Sequence, residues 1–283
     1  MLTPIEFGLT LSSLRRSVAC LVVATAALAV MPAPARAQAG APRAAASMLV
    51  QQAAEALGGA PRLYAVRNIT LAGYGQYAWL LGAENIGPSP HAPFKFEAAN
   101  NLRRVYDLER NRFQLSERRY LLFPFLAENS YNFPLTDQRL DGDIAYDAAS
   151  GNPFGRGPKE PQRIAPLGGG IFPDGVHMRR MLMMNDPVVL VRAMMDPATK
   201  LSAPRVEGNY AVIDITLEQG DTLSAGFFSP TTYCQALCEH LPAFVRWSVP
   251  NPDLGEVTFT TWFTGYASID GLMLPLGYAN RED

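Results

Sequence analysis

Residues 210–228 read Tyr-Ala-Val-Ile-Asp-Ile-Thr-Leu-Glu-Gln-Gly-Asp-Thr-Leu-Ser-Ala-Gly-Phe-Phe, and this stretch decides the fold class. Ala211, Ile213, Ile215 and Leu217 fall on one face of an extended chain. After a polar break, Leu223, Ala225 and Phe227 share a face in the same way. A period of two marks strands that bury one side and leave the other to polar groups. Residues 244–249 and 257–263 repeat the pattern, the latter with Val257, Phe259 and Phe263 aligned.

The same period recurs upstream. Ile69, Leu71 and Gly73 alternate with Thr70, Ala72 and Tyr74, and the glycines at 73 and 75 mark a bend or a close approach. Residues 102–108 and 112–118 form a hairpin around Arg110-Asn111, with Tyr106 and Leu108 on one face of the first strand and Phe113 and Leu115 on one face of the second. Asp141-Gly142, a pair that favours tight turns, joins two further strands. Residues 79–93 and 150–175 are rich in Gly and Pro and read as loops.

Two segments change period. Ala45, Met48, Leu49, Ala53, Ala56 and Leu57 recur at helical spacing, and Gly58-Gly59 ends that helix. Asn185-Asp186-Pro187 is a start signal for a second helix, stopped by Asp196-Pro197. Many antiparallel strands with few helices give the α+β class. The expected architecture is one curved antiparallel sheet, a half-barrel, wrapped around one or two helices, with residues 188–195 in its hollow.

At the N-terminus Arg15-Arg16 precede an apolar run over 18–31, then Pro32, Pro34 and Ala35-Arg36-Ala37. That order is an export signal, with cleavage expected between Ala37 and Gln38. The run is shorter than the ~20 residues a membrane-spanning helix needs. The flanks of the arginine pair fit a twin-arginine signal poorly, so the general secretory route is expected. Cys20 lies inside the apolar run instead of at its end, which argues against lipidation. Residues 1–37 are thus the signal, and 38–283 a single β-rich domain that is periplasmic or secreted, with no transmembrane anchor once the signal is removed. A net charge of -2 offers no footprint for nucleic acid.

No catalytic constellation emerges. The 3 histidines, His91, His177 and His240, lack metal-ligand spacing. Asp141, Asp143 and Asp147 sit where a calcium loop would also need a glycine at 146 and a ligand at 145, which are Tyr and Ala. Gly168-Gly169-Gly170 lacks the Lys-Ser/Thr of a phosphate loop, and no Gly-x-Ser-x-Gly is present. The arginines at 103, 104, 110, 112, 118 and 119 read as a solvated face, interspersed with Asp107, Glu109 and Glu117. Cys234 and Cys238 read as a structural disulfide in an oxidising compartment. The methionines from 178 to 195 read as packing groups. A pocket for an apolar ligand lined by Met181, Met184, Val191, Met194 and Met195 stays open beside that reading.

Four segments carry a resemblance: Glu55-Ala-Leu-Gly-Gly59 through Val66-Arg-Asn-Ile-Thr-Leu-Ala-Gly73; Asp141-Gly-Asp-Ile-Ala-Tyr146; Asp186-Pro-Val-Val-Leu-Val-Arg-Ala193; and Pro252-Asp-Leu-Gly-Glu256 through Tyr266-Ala-Ser-Ile-Asp-Gly-Leu-Met-Leu-Pro275. Together they resemble the N-terminal, non-catalytic region of exported metallo-β-lactamase (MBL)-fold hydrolases, itself similar to the half-barrel of LolA/LolB-type lipoprotein carriers. The resemblance implies an accessory domain of a zinc hydrolase, truncated before the catalytic part, with that hydrolase domain as a partner in cis or in trans. No position here matches the zinc motif His-x-His-x-Asp-His, so no cofactor is expected in this chain. The alternative is a stand-alone periplasmic module that binds an apolar ligand or a lipid-linked partner in its concave sheet.

Overall fold

The computed structural model describes residues 36–78, 89, 91–122, 135–150, 162–163, 175–229, 238–251 and 255–283. The expected signal, apart from its last two residues, lies outside them, as do Cys234 and most of the two long loops. The chain opens with helices α1 (Arg36–Ala56) and α2 (Ala60–Ala65). Strands β1 (Asn68–Ala78), β2 (Phe96–Asp107), β3 (Arg112–Leu121), β4 (Thr136–Asp141), β5 (Ile144–Ser150) and β6 (Gln162–Arg163) follow. Helices α3 (Gly175–Met183) and α4 (Pro187–Met195) come next. The chain ends with β7 (Lys200–Leu201), β8 (Arg205–Glu207), β9 (Tyr210–Thr216), β10 (Thr222–Phe228), β11 (Pro242–Asn251), β12 (Gly255–Ile269) and β13 (Leu272–Glu282).

Among the described residues all strand pairs are antiparallel. Among the described residues the ladders form two sheets, β1-β2-β3-β4-β5-β6 and β13-β12-β11-β10-β9-β7, where a single curved sheet was expected. Among the described residues neither sheet closes on itself. One contiguous core joins them: Tyr106, Phe113 and Leu140 of the first sheet and Ile213, Phe227 and Val245 of the second belong to the same buried cluster as the helices. Helix α4 is the centre of it. Val188, Val189, Leu190, Val191 and Met194 are all buried, the mark of a helix enclosed on most sides.

Local chemistry explains each boundary. Asp186 caps α4, its Oδ1 accepting from Val188 N at 2.9 Å and Val189 N at 3.2 Å, with Pro187 in the first turn. The hairpin turns fall at Asn111, with φ 52°, and Gly142, with φ 58°. The bend expected at the glycines of β1 is a register shift between Gly73 and Gly75.

Three details differ from the sequence reading. Helix α1 has the expected period, but its buried face is Ala46, Leu49, Val50, Ala53, Ala54 and Leu57, leaving Met48 60% exposed. In an alanine-rich helix several faces are nearly equivalent, so packing chooses among them. Helix α3 is absent from the sequence reading because His and Arg are mixed with its methionines and blur the apolar stripe. Strand β13 was hidden by Pro275 and Gly277. Proline is tolerated there because β13 is an edge of its sheet, with β12 its only ladder neighbour among the described residues.

Candidate functional site

The sequence nominated five side chains around α4. The structure separates them. Met181 and Val191 are sealed in the core at 0% exposure, and Met184 packs against it. Met194 and Met195, at the C-terminal end of α4, line an open groove of about 400 Å³ between α1, α2 and α4. Val50, Ala60, Tyr64 and Leu201 add apolar wall, and Arg43, Ser47, Gln51 and Thr199 form part of a polar rim. Arg192 holds this corner, donating from Nη1 to Val66 O at 2.6 Å with its guanidinium 5.6 Å from the centre of the Tyr64 ring.

At the opposite end of α4 lies a group of residues that the sequence reading missed. Arg104, read as part of a solvated face, is buried, as is Glu117. Glu117 accepts from Tyr77 Oη at 2.7 Å and from Arg119 Nε at 2.7 Å, and the Arg119 guanidinium lies 3.9 Å from the centre of the Tyr77 ring. Burial first, and then the Glu117 charge, push the Tyr77 phenol up to about 12. Glu97, 3.5 Å from Arg119 Nη1, is also pushed up, mainly by burial.

Arg104 sits deeper. Its guanidinium is 5.4 Å from the centre of the Tyr278 ring, and it interacts electrostatically with Tyr106 and Asp186 as well. Burial pushes both phenols up, so Tyr106 and Tyr278 are neutral hydroxyls. Asp186 is fully buried, and desolvation lifts its carboxyl to about 6 against the pull of the Val189 and Val188 N–H groups and Arg104. Arg104 Nη1, Tyr106 Oη, Tyr278 Oη and Asp186 Oδ2 make no hydrogen bond of good geometry among the described residues, although the Arg104 guanidinium lies close enough to the Tyr106 hydroxyl to interact with it. A clue was available: Arg104 is two residues from Tyr106 and Glu117 two from Leu115, so the period that buries one buries the other.

The remaining candidates have ordinary partners. Asp141 pairs with Arg112 at 2.8 Å, Asp143 with Arg180 at 3.2 Å and Asp147 with Arg179 at 2.8 Å. Among the described residues no group of three or more His, Cys, Asp or Glu could hold a metal ion. No helix there is long and apolar enough to cross a membrane. Cys238 is disulfide-bonded, and Cys234 lies outside the described residues.

His177 Nδ1 and Asp221 Oδ1 are 2.7 Å apart, and Arg180 Nε donates to Asp221 Oδ2 at 2.5 Å. Burial alone would raise the Asp221 carboxyl, but these hydrogen bonds and charges outweigh it and hold it down to about 2. An unfolded Asp titrates near ~3.9. Native Asp221 therefore binds fewer protons than the unfolded chain, and its stabilisation is lost as pH falls from about 4 towards 2. Asp186 has the opposite sign: its native form holds a proton up to about 6, so its contribution declines as pH rises from about 4 to 6. In melting curves, Asp221→Asn should lose less Tm than the parent between pH 4 and 2. Asp186→Asn should lose less between pH 4 and 6. Parallel curves for variants and parent would contradict these assignments.

Two of the segments that carried the resemblance meet in space. Arg62 Nη1 donates to Gly271 O at 2.8 Å, and Met273 N donates to Leu57 O at 3.0 Å. A Cβ on Gly58 would lie 2.4 Å from Gly271 O. The Leu57-Gly58-Gly59 and Asp270-Gly271-Leu272 motifs are therefore a clasp between the end of α1 and the β12–β13 turn.

No family model, curated protein or solved structure matches this chain.

Proposed function

We propose that this chain is a non-catalytic module, exported across the inner membrane, that holds an apolar ligand beside α4. The observation that carries the reading is the groove lined by Met194 and Met195 and edged by polar groups. Such a site is mostly apolar with a few polar groups to orient a guest, and methionine adapts to guests of varied shape. The two sheets around buried helices suit a half-barrel carrier of the LolA type, opened between its halves. The proposed bridge between Cys234 and Cys238 would fix the loop before β11 in an oxidising compartment.

N-phenyl-1-naphthylamine, which brightens in apolar surroundings, tests this. The mature protein should take up about one equivalent, and Met195→Glu should weaken uptake at least ~10-fold, since a charge in an apolar site costs more than ~1.4 kcal/mol. Absence of uptake, or uptake unchanged in the variant, would refute the groove.

A second reading, the accessory region of an MBL-fold zinc hydrolase, is favoured by the clasp between the two resembling segments. Zinc would then belong to the hydrolase domain. A His-x-His-x-Asp-His run encoded in frame or adjacent beyond Asp283 would support this context.

A further inference from the structure

We propose that Arg104, Tyr106, Tyr278 and Asp186 form a receptor for the carboxyl group of an apolar acid. The inference rests on the binding-module reading, but it uses different residues, at the N-terminal end of α4 and not at the groove. A buried polar atom without a partner is costly, because it gives up its bond to water and gains none in return. Here four such atoms, from β2, β13 and the cap of α4, belong to mutually interacting side chains within an apolar core. Tyr106 lies against Phe113, with ring centres 5.2 Å apart, and Tyr278 meets Phe263 edge-on at 5.9 Å.

The inventory selects the guest. Arg104 Nη1 and the two phenol hydroxyls offer donors, while Asp186 Oδ2 offers an acceptor. An undissociated carboxyl presents one O–H for Asp186. Its carbonyl and hydroxyl lone pairs accept from the three donors. An alcohol supplies too few acceptors, and a primary amide brings two N–H groups to one acceptor. A phosphate dianion would place two charges against one guanidinium with Asp186 beside it, at high cost in a dry site.

Decanoic acid, methyl decanoate and 1-decanol, titrated calorimetrically into the mature protein, test the proposal. Decanoic acid should bind at least ~10-fold more tightly than the ester or the alcohol, a difference of ~1.4 kcal/mol, because neither can complete the same set of charge-assisted hydrogen bonds. Arg104→Met and Tyr278→Phe should each remove that preference while leaving naphthylamine uptake at the groove unchanged. Tyr278→Phe deletes a hydroxyl that has no partner, so it should fold and melt within a few degrees of the parent. It keeps the test valid where Arg104→Met fails to fold. Equal affinity for acid and ester, or a preference that survives both substitutions, would overturn the proposal and leave ordered water as the occupant, with the groove reading intact. Loss of naphthylamine uptake together with a retained acid preference would sink the groove and keep this site. Failure of both ligands would sink both.

Discussion

Gly58→Ala should destabilise the protein by about 2–5 kcal/mol, the sum of a strained backbone and a steric collision. Gly58 has φ +121°, a conformation that side chains rarely adopt, and an added methyl would sit 2.4 Å from the carbonyl oxygen of Gly271. That oxygen is backbone, held by Arg62 and by the neighbouring Met273–Leu57 hydrogen bond, so it cannot swing away. At roughly 2–4 °C per kcal/mol for a chain of this size, Tm should fall by about 10 °C. Gly59→Ala separates the two causes. Gly59 also has a positive φ, 94°, but its nearest neighbour would be Glu55 Oε2 at 3.8 Å, ordinary contact. It should lose only the strain, about 1–2 kcal/mol. Equal losses at the two positions would mean that the clasp is not closely packed.

Leu190→Ala should cost a comparable amount, about 2–5 kcal/mol, through lost burial and the cavity left behind. Leu190 is 0% exposed in the middle of α4, within the core that both sheets share. Because that core is continuous, unfolding of the variant should remain one cooperative step, with near-ultraviolet and far-ultraviolet circular dichroism coinciding at a lowered midpoint. A loss under ~1 kcal/mol, or two separated transitions, would show that α4 does not bind the sheets into one body.

Much of the fold was legible because the hydrophobic period is strong where strands are half-buried. Residues 210–228 are an example, as is the α4 start at Asp186-Pro187. The division into two sheets was not legible, since ladder pairing between distant strands leaves no mark in a local period. Nor was β13, whose Pro275 and Gly277 read as a break until its position at an edge is known. The site was legible in part. Met194 and Met195 reach the groove, but Val191, on the same face of α4, lies about one turn (~5 Å) further along the helix inside the core, and Met181 belongs to α3. Arg104 and Glu117 were missed by weighing their charge above their phase. A buried charge breaks the usual correlation between polarity and exposure, and such breaks collect where a protein binds something.

Native mass spectrometry of the protein, isolated from its cells without detergent, tests the central claim most directly. The account predicts a species heavier than the polypeptide by the mass of one apolar molecule, lost after extraction with chloroform and methanol and restored by adding the extract back. A protein of bare polypeptide mass that takes up neither its own extract nor N-phenyl-1-naphthylamine would contradict it.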